Sequence, residues 1–257
     1  MNILAINGSY HGQIGYTSFL IQKVFDGAAT AGADCEVIHL AEKKVRRCQA
    51  CGFCHTEEHY LQCAFQQKDD VASIFEKIRH ADLIIYATPI YVFGISALLK
   101  TFIDRFYSTG DIFDLSLSES GLLFHHIDRS INSKPFVTLI TCDNLEAETP
   151  KNVLAYFKTY AKFMDAAIVG TLVRNGGRLS GHGKNPEREK RVPKLHQVYA
   201  AYEQAGFELA KQGKINRKTQ RKANQEIIPV PFFNIMKRLP FKPIKKKMIE
   251  KAREMNS

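Results

Sequence analysis

From Met1 to about Arg174 the chain alternates short apolar runs with amphipathic segments. Asn2–Asn7 (NILAIN), Cys35–Leu40 (CEVIHL), Leu83–Thr88 (LIIYAT), Phe136–Thr141 (FVTLIT) and Ala167–Val173 read as five strands. Leu83–Thr88 carries no charged residue, as expected of a strand buried on both faces. Between the strands, Thr17–Ala31 places Phe19, Leu20, Val24 and Ala28 at helical spacing. Asp69 and Asp70 are suited to cap a helix that runs to about His80. Ser96–Tyr107 carries the stripe Leu98, Leu99, Phe102, Ile103 and Phe106, and Pro150 opens a helix through about Met164. Arg188–Lys211 reads as the last helix of the body. This alternation predicts an α/β chain with a doubly wound, five-stranded parallel sheet. Such sheets bind ligands outside the carboxyl ends of their strands, near the switch point. The loops after Asn7, Thr88 and Thr141 are therefore the places to look for chemistry.

Composition narrows the class without changing it. The chain has 257 residues, 45% hydrophobic and 24% charged, which excludes a disordered or fibrous protein. Its formal net charge of +10 is uneven: Lys211 to Ser257 holds 14 basic and 3 acidic residues, leaving the remainder at −1. A basic tail on a near-neutral body argues against nucleic acid as the partner of the whole protein. We read residues 1–213 as the body and 214–257 as a basic C-terminal extension. The uncharged run Leu83–Leu99 is too short to span a membrane and is interrupted by Pro89 and Gly94. The opening MNILAINGSY lacks the basic start of a signal peptide, so a soluble, cytoplasmic chain is expected.

The first loop, Gly8-Ser9-Tyr10-His11-Gly12-Gln13-Ile14-Gly15-Tyr16-Thr17, leads into a helix. Backbone N–H groups at a helix start attract a phosphate, and Ser9 and Thr17 add hydroxyl donors. The spacing is neither Gly-x-Gly-x-x-Gly nor a P-loop, which disfavours an ordinary dinucleotide or nucleoside-triphosphate site. The third-strand loop, Pro89-Ile90-Tyr91-Val92-Phe93-Gly94, suits a flat, partly apolar ring. Thr141, at the end of the fourth strand, completes the candidate cofactor set Ser9, Gly15, Tyr16, Thr17, Pro89, Ile90, Tyr91, Val92, Phe93, Gly94 and Thr141.

These loops, with Cys48-x2-Cys51-x2-Cys54, Asp69-Asp70, Ala81-Asp82, Pro89-Ile90-Tyr91, Ser96, Leu99-Lys100 and Asp104-Arg105, resemble the NAD(P)H-dependent FMN reductase family of the flavodoxin-like superfamily. The resemblance covers roughly the first 105 residues. It implies a flavodoxin-like fold and FMN, with Ser9, Tyr16 and Thr17 at the phosphate and Pro89 to Gly94 around the isoalloxazine. It also implies hydride transfer from NAD(P)H to flavin and onward to an acceptor, with no dedicated acid–base residue, because the cofactor does the chemistry. Where the family usually has Asn, this chain has Tyr16, whose backbone N–H can still serve. Lys100, Asp104 and Arg105 are read as a structural ion-pair set at the helix and subunit interface.

The chain has six cysteines, four of them in Cys48-x2-Cys51-x2-Cys54-x8-Cys63. That pattern resembles the iron–sulfur flavoproteins, a branch of the same family in which four thiolates hold a [4Fe–4S] cluster. The branch supplies a second functional reading, an electron carrier that exchanges electrons with ferredoxin. Zinc is another option, with His55-x3-His59 beside the two Cys-x2-Cys pairs. The plainest option is a loop of free thiols packed over the flavin or a dimer interface. Cys35 and Cys142 read as small buried residues, and His125-His126 as a surface pair.

The extension includes Pro229-Val230-Pro231-Phe232-Phe233, Met236 to Phe241 and Pro243 to Ile249. Packing on a neighbouring subunit is the preferred reading, with a homodimer or tetramer expected. Contact with an anionic membrane, or with an acidic protein, is the alternative.

Overall fold

The computed structural model describes residues 1–177, 185–190, 192, 194–227 and 233–256. The strands are β1 (Asn2–Asn7), β2 (Asp34–His39), β3 (Leu83–Tyr91), β4 (Gly94–Ile95), β5 (Gly110–Leu117), β6 (Leu123–Ile127), β7 (Phe136–Thr141) and β8 (Ile168–Arg174). The α-helices are α1 (Tyr16–Thr30), α2 (Val71–His80), α3 (Ala97–Asp104), α4 (Arg129–Asn132), α5 (Lys151–Phe163), α6 (Pro186–Lys190), α7 (Lys194–Gln212), α8 (Arg217–Ala223), α9 (Phe233–Met236) and α10 (Lys242–Asn256).

Five strands pair in parallel in the order β2-β1-β3-β7-β8, the flavodoxin-like order, as expected from the alternation of elements. Successive residues of each strand feed opposite layers. Ile3, Ala5, Leu83, Ile85, Val137 and Leu139 join the core beneath α1 and α7. Leu4, Ile6, Ile84, Tyr86 and Ile140 join the core beneath α2, α3 and α5. Helices α1 and α7 cross closely enough that a Cβ on Gly27 would stand 1.7 Å from the Glu203 carbonyl oxygen, and one on Gly206 1.7 Å from that of Val24. Glycine is required at this crossing because backbone meets backbone.

Several elements differ from the sequence pattern. Strand β3 continues through Pro89 to Tyr91 and turns back into β4, so part of the expected loop is a hairpin. Strands β5 and β6 form a separate antiparallel hairpin that the mixed sequence around Asp111, Asp114 and His125 conceals. The final body helix is two, α6 and α7; the sequence between them holds Pro193, which lacks an N–H for helical bonding. Arg191, Pro193 and the stretch Pro229 to Phe232 lie outside the described residues.

The chain beyond residue 213 continues along the sheet. Ile215 N–H donates to the Val169 carbonyl at 2.9 Å. Gln220 Oε1 accepts from Thr171 N at 2.8 Å. Asn224 Oδ1 accepts from Val173 N at 2.8 Å, and its Nδ2 donates to Thr171 O at 2.9 Å. These groups occupy the outer edge of β8 as a further strand would, leaving less of it open to pairing with other chains. Buried Arg174 donates to the carbonyls of Ala223 and Gln225, at 3.2 and 2.6 Å. Among the described residues no helix is long and apolar enough to cross a membrane.

Candidate functional site

Asn7, the last residue of β1, organises the first loop. Its Oδ1 accepts from Ser9 N at 3.0 Å and its Nδ2 donates to Gly12 O at 3.2 Å. The same Nδ2 lies 2.9 Å from His39 Nδ1. An amide nitrogen can only donate there, so His39 accepts and is neutral. Burial lowers the pKa of this imidazole, against a weaker opposing influence of Glu42. Ser9 Oγ accepts from His11 N at 3.2 Å, which leaves its O–H to donate.

Gly15 links this loop to α1 in an extended conformation. A Cβ there would stand 2.9 Å from His11 Cβ and 3.0 Å from Ser9 Oγ, so a side chain would press on the loop. The start of α1 has no capping side chain and no acidic residue in its first turn, which keeps its positive end suited to an anion. The Thr17 hydroxyl is buried 3.0 Å from that of Thr141, joining the helix start to the end of β7. The Tyr16 side chain turns away into the core, stacked on Phe19 with ring centroids 6.2 Å apart. What Tyr16 offers a ligand is therefore backbone.

The second loop is a strained hairpin on a rigid base. Thr88 Oγ1 accepts from Ser96 N at 3.0 Å, and Ser96 Oγ caps α3 by accepting from Leu99 N at 3.2 Å. At the tip, Val92 and Phe93 have φ of +46° and +62°, the left-handed region that hairpin turns fill with Asn and Gly. Such residues cost about 1–3 kcal/mol each and gather at ligand clamps. Val92 is 93% exposed, and Phe93 and Tyr91 are exposed beside it. Tyr10, from the first loop, lies 6.0 Å from Tyr91 ring to ring. An apolar, aromatic rim thus stands next to the anion-ready helix start, at the β1/β3 switch point.

A third loop closes the far side. The Cys142 thiol donates to Asn144 O at 3.3 Å and to Asn175 Oδ1 at 3.2 Å, and Asn175 Nδ2 donates to Glu146 O at 3.1 Å. Burial, with Asp143 nearby, pushes this thiol up to about 11. Cys142 is structural, as its position after an apolar strand suggests, and Cys35 is half-buried in β2.

The cysteine loop is held differently from expectation. Arg105 does not join Lys100 and Asp104, which pair with each other on the surface. Arg105 is instead buried in an ion pair with buried Asp69, and also donates to Arg46 O at 3.0 Å and to Cys63 Sγ at 3.1 Å. Asp69 and Asp70 direct carboxylate oxygens to Arg46 N and Lys44 N, at 3.0 and 2.7 Å; Asp69 Oδ1 also accepts from Val71 N, the first residue of α2, at 3.2 Å, whereas the Asp70 side chain does not cap that helix. His55 ends a short 3-10 turn and packs edge-on against Tyr107, while His59 stacks on Phe53. No helix carries the two imidazoles on one face. Burial lowers the pKa of His55, and so does His125 nearby. His125 is half-buried on β6 and His126 is exposed. Cys54 is buried, Cys51 exposed, and Cys48 and Cys63 half-buried. Among the described residues no three cysteine, histidine or carboxylate side chains converge to hold a metal ion. Cys48, Cys51 and Cys63 nevertheless lie near buried Cys54, whose pKa is raised chiefly by burial and further by those three neighbours.

Residues 1–125 match the model of a family described as NADPH-dependent FMN reductase. The match covers slightly less than half of the 257-residue chain, so the similarity is one of this N-terminal segment. Over 105 residues the chain is 33% identical to an iron–sulfur flavoprotein of Archaeoglobus fulgidus, covering 41% of this chain and 48% of that protein. Over 110 residues it is 36% identical to YwqN of Bacillus subtilis, which bears the name of an NAD(P)H-dependent FMN-containing oxidoreductase; the match covers 42% of this chain and 54% of that one. The chain thus spans about half the length of these curated relatives. A solved structure of an FMN-dependent NADH-azoreductase from Bacillus anthracis, in complex with FMN, superposes with a TM-score of 0.56 at 14% identity, covering 82% of this chain and 99% of that one. That likeness is one of fold.

Sequence reasoning located the first two loops but missed Asn7, Thr88, Tyr10 and the Asn144–Asn175 lacing. A polar residue ending an apolar strand, as Asn7 and Thr88 do, is the available signal.

Proposed function

We propose that this chain is an FMN-containing oxidoreductase that draws hydride from NAD(P)H and hands electrons to an acceptor, working as a cytoplasmic homo-oligomer. The observation that carries this reading is the juxtaposition of an uncapped, anion-ready start of α1 with an exposed aromatic hairpin, inside the segment that matches the reductase family. Ser9, Thr17 and the backbone from Gly15 to Thr17 would hold the phosphate. Pro89 to Gly94 would border the ring system, with Thr141 fixing Thr17 in place. When bound, FMN supplies the hydride-accepting chemistry. The chain's part is to hold it: the Asn7–His39 pair keeps the first loop in register, and the neutral Tyr91 phenol, its pKa raised by burial and by Tyr10 and Asp143, stands at the rim. Reconstitution with FMN, then anaerobic mixing with NADH or NADPH, tests the reading. Loss of the flavin absorbance bands is expected; a protein that binds no FMN, or holds FMN that neither donor bleaches, overturns it.

The iron–sulfur flavoprotein reading is kept because Cys48, Cys51, Cys54 and Cys63 retain most of that spacing and a curated relative bears the name. Cys48, Cys51 and Cys63 lie near Cys54, as this reading needs. Iron and sulfide analysis after anaerobic purification separates it from the plain reductase: about four irons per chain would mean that the loop rearranges around a cluster.

A further inference from the structure

From Ile235 to Asn256 the sequence carries eight basic and two acidic residues, on a body that is near neutral. Phe241 and Ile249 are 58% and 54% exposed, and Ile235 is exposed as well. On α10 and the residue before it, Phe241, Lys245 and Ile249 follow at intervals of four and share one edge of the helix. Exposed Lys242 and Lys246 flank that edge, exposed Lys247 is on the far face, and Ile244 and Met248 are half-buried. Upstream, Lys237 pairs with Glu146 in the third loop of the candidate site, tying the segment to the body.

We infer that the segment from Ile235 through α10 docks the protein on an anionic lipid surface. A basic helix that shows a few apolar anchors among lysines is the pattern that lies in a membrane interface. Interfaces between protein subunits are depleted of lysine at their cores, and here lysines stand among the anchors, which disfavours a second copy as the occupant. Nucleic acid would need the basic track to continue onto the body, and it does not. The anchor to Glu146 would bring the third loop toward the lipid. The inference does not depend on the flavin.

The test is flotation of the full chain with phosphatidylcholine vesicles, with and without phosphatidylglycerol. Binding is expected only with the anionic lipid and should weaken as salt rises. Replacing Lys245, Lys246 and Lys247 with Glu should reduce partitioning by a hundredfold or more, since each basic residue near the surface contributes about a factor of five. Phe241→Ser with Ile249→Ser should also reduce it. Both variants should keep the parent's circular dichroism and melting temperature. The inference is overturned if the full chain ignores anionic vesicles at low salt, binds neutral ones equally, or is unaffected by the triple replacement. Binding to soluble polyglutamate without vesicle binding would assign the segment to an acidic protein. Self-association lost in the variants, without vesicle binding, would assign it to a second subunit.

Discussion

The first loop and the cysteine loop both look ready for a ligand in sequence, yet the fold treats them in opposite ways. In the first loop, protein–protein hydrogen bonds fix the backbone while the helix start remains uncapped and the Ser9 hydroxyl remains a donor. In the cysteine loop the strongest groups are turned inward. Arg105, Asp69, Arg46 and Cys63 bind one another, and Phe65 lies beneath both guanidinium groups at 5.3 and 5.6 Å. One loop is braced and leaves its chemistry facing out; the other uses its charged residues to hold itself. The same kinds of charged and hydrogen-bonding residues can therefore face a ligand or brace their own loop, and the packing decides which.

The contrast is most easily broken at Arg105. Arg105→Ala leaves Asp69 charged and buried, and should destabilise the protein by about 3–5 kcal/mol in a urea melt. Lys100→Ala removes an exposed pair and should cost at most about 0.5 kcal/mol. Equal costs would mean that the buried pair does not hold the cysteine loop. On the other side of the comparison, Ser9→Ala and Thr17→Ala should each weaken FMN binding by about 1.5–3 kcal/mol, because each removes a hydrogen bond to a charged group. Fluorescence titration with FMN measures this, and unchanged affinity would remove both hydroxyls from the phosphate site.

Smaller effects sharpen the picture. Replacing Val92 with Asn and Phe93 with Gly should raise stability by about 1–2 kcal/mol, since both residues tolerate positive φ. A rise in stability with a fall in FMN affinity would show that the strained tip is kept for the ligand. His39 gives the gentlest probe. Its pKa is lowered in the folded protein, so the unfolded chain takes up more protons as pH falls below the ordinary value of 6.5. Stability should be fully present above that pH and decline below it, by at most about 1.4 kcal/mol per pH unit. His39→Gln should flatten the decline in urea melts on either side of that pH.

The legible part of the fold was the part set by local pattern. NILAIN, LIIYAT and FVTLIT announce buried parallel strands, and the stripe from Leu98 to Phe106 announces the helix on their flank. The illegible parts have identifiable reasons. Pro89 reads as a strand stop, yet β3 runs through it because the partner β7 ends opposite Pro89 and the following residues pair with β4. The β5–β6 hairpin mixes Asp111, Asp114 and Ser116 with Phe113, Leu115 and Leu117, and these three apolar residues remain exposed, so no burial pattern marks the strand. Gly27 and Gly206 look like ordinary helix residues until α1 and α7 are brought together.

By itself the amino-acid sequence determined the α/β class, the parallel sheet and the position of the two loops at the carboxyl ends of β1 and β3. Each follows from spacing along a few residues: alternate positions for strands, every third or fourth for helices, and glycine before a helix start. The tertiary structure decided which polar groups are used up and which remain available. Arg105 and Asp69 stand 36 residues apart, and Asn7 and His39 stand 32 apart. Whether such groups meet, lose water and bind each other depends on how distant segments pack, and desolvation is what turns an ordinary charged residue into a structural one.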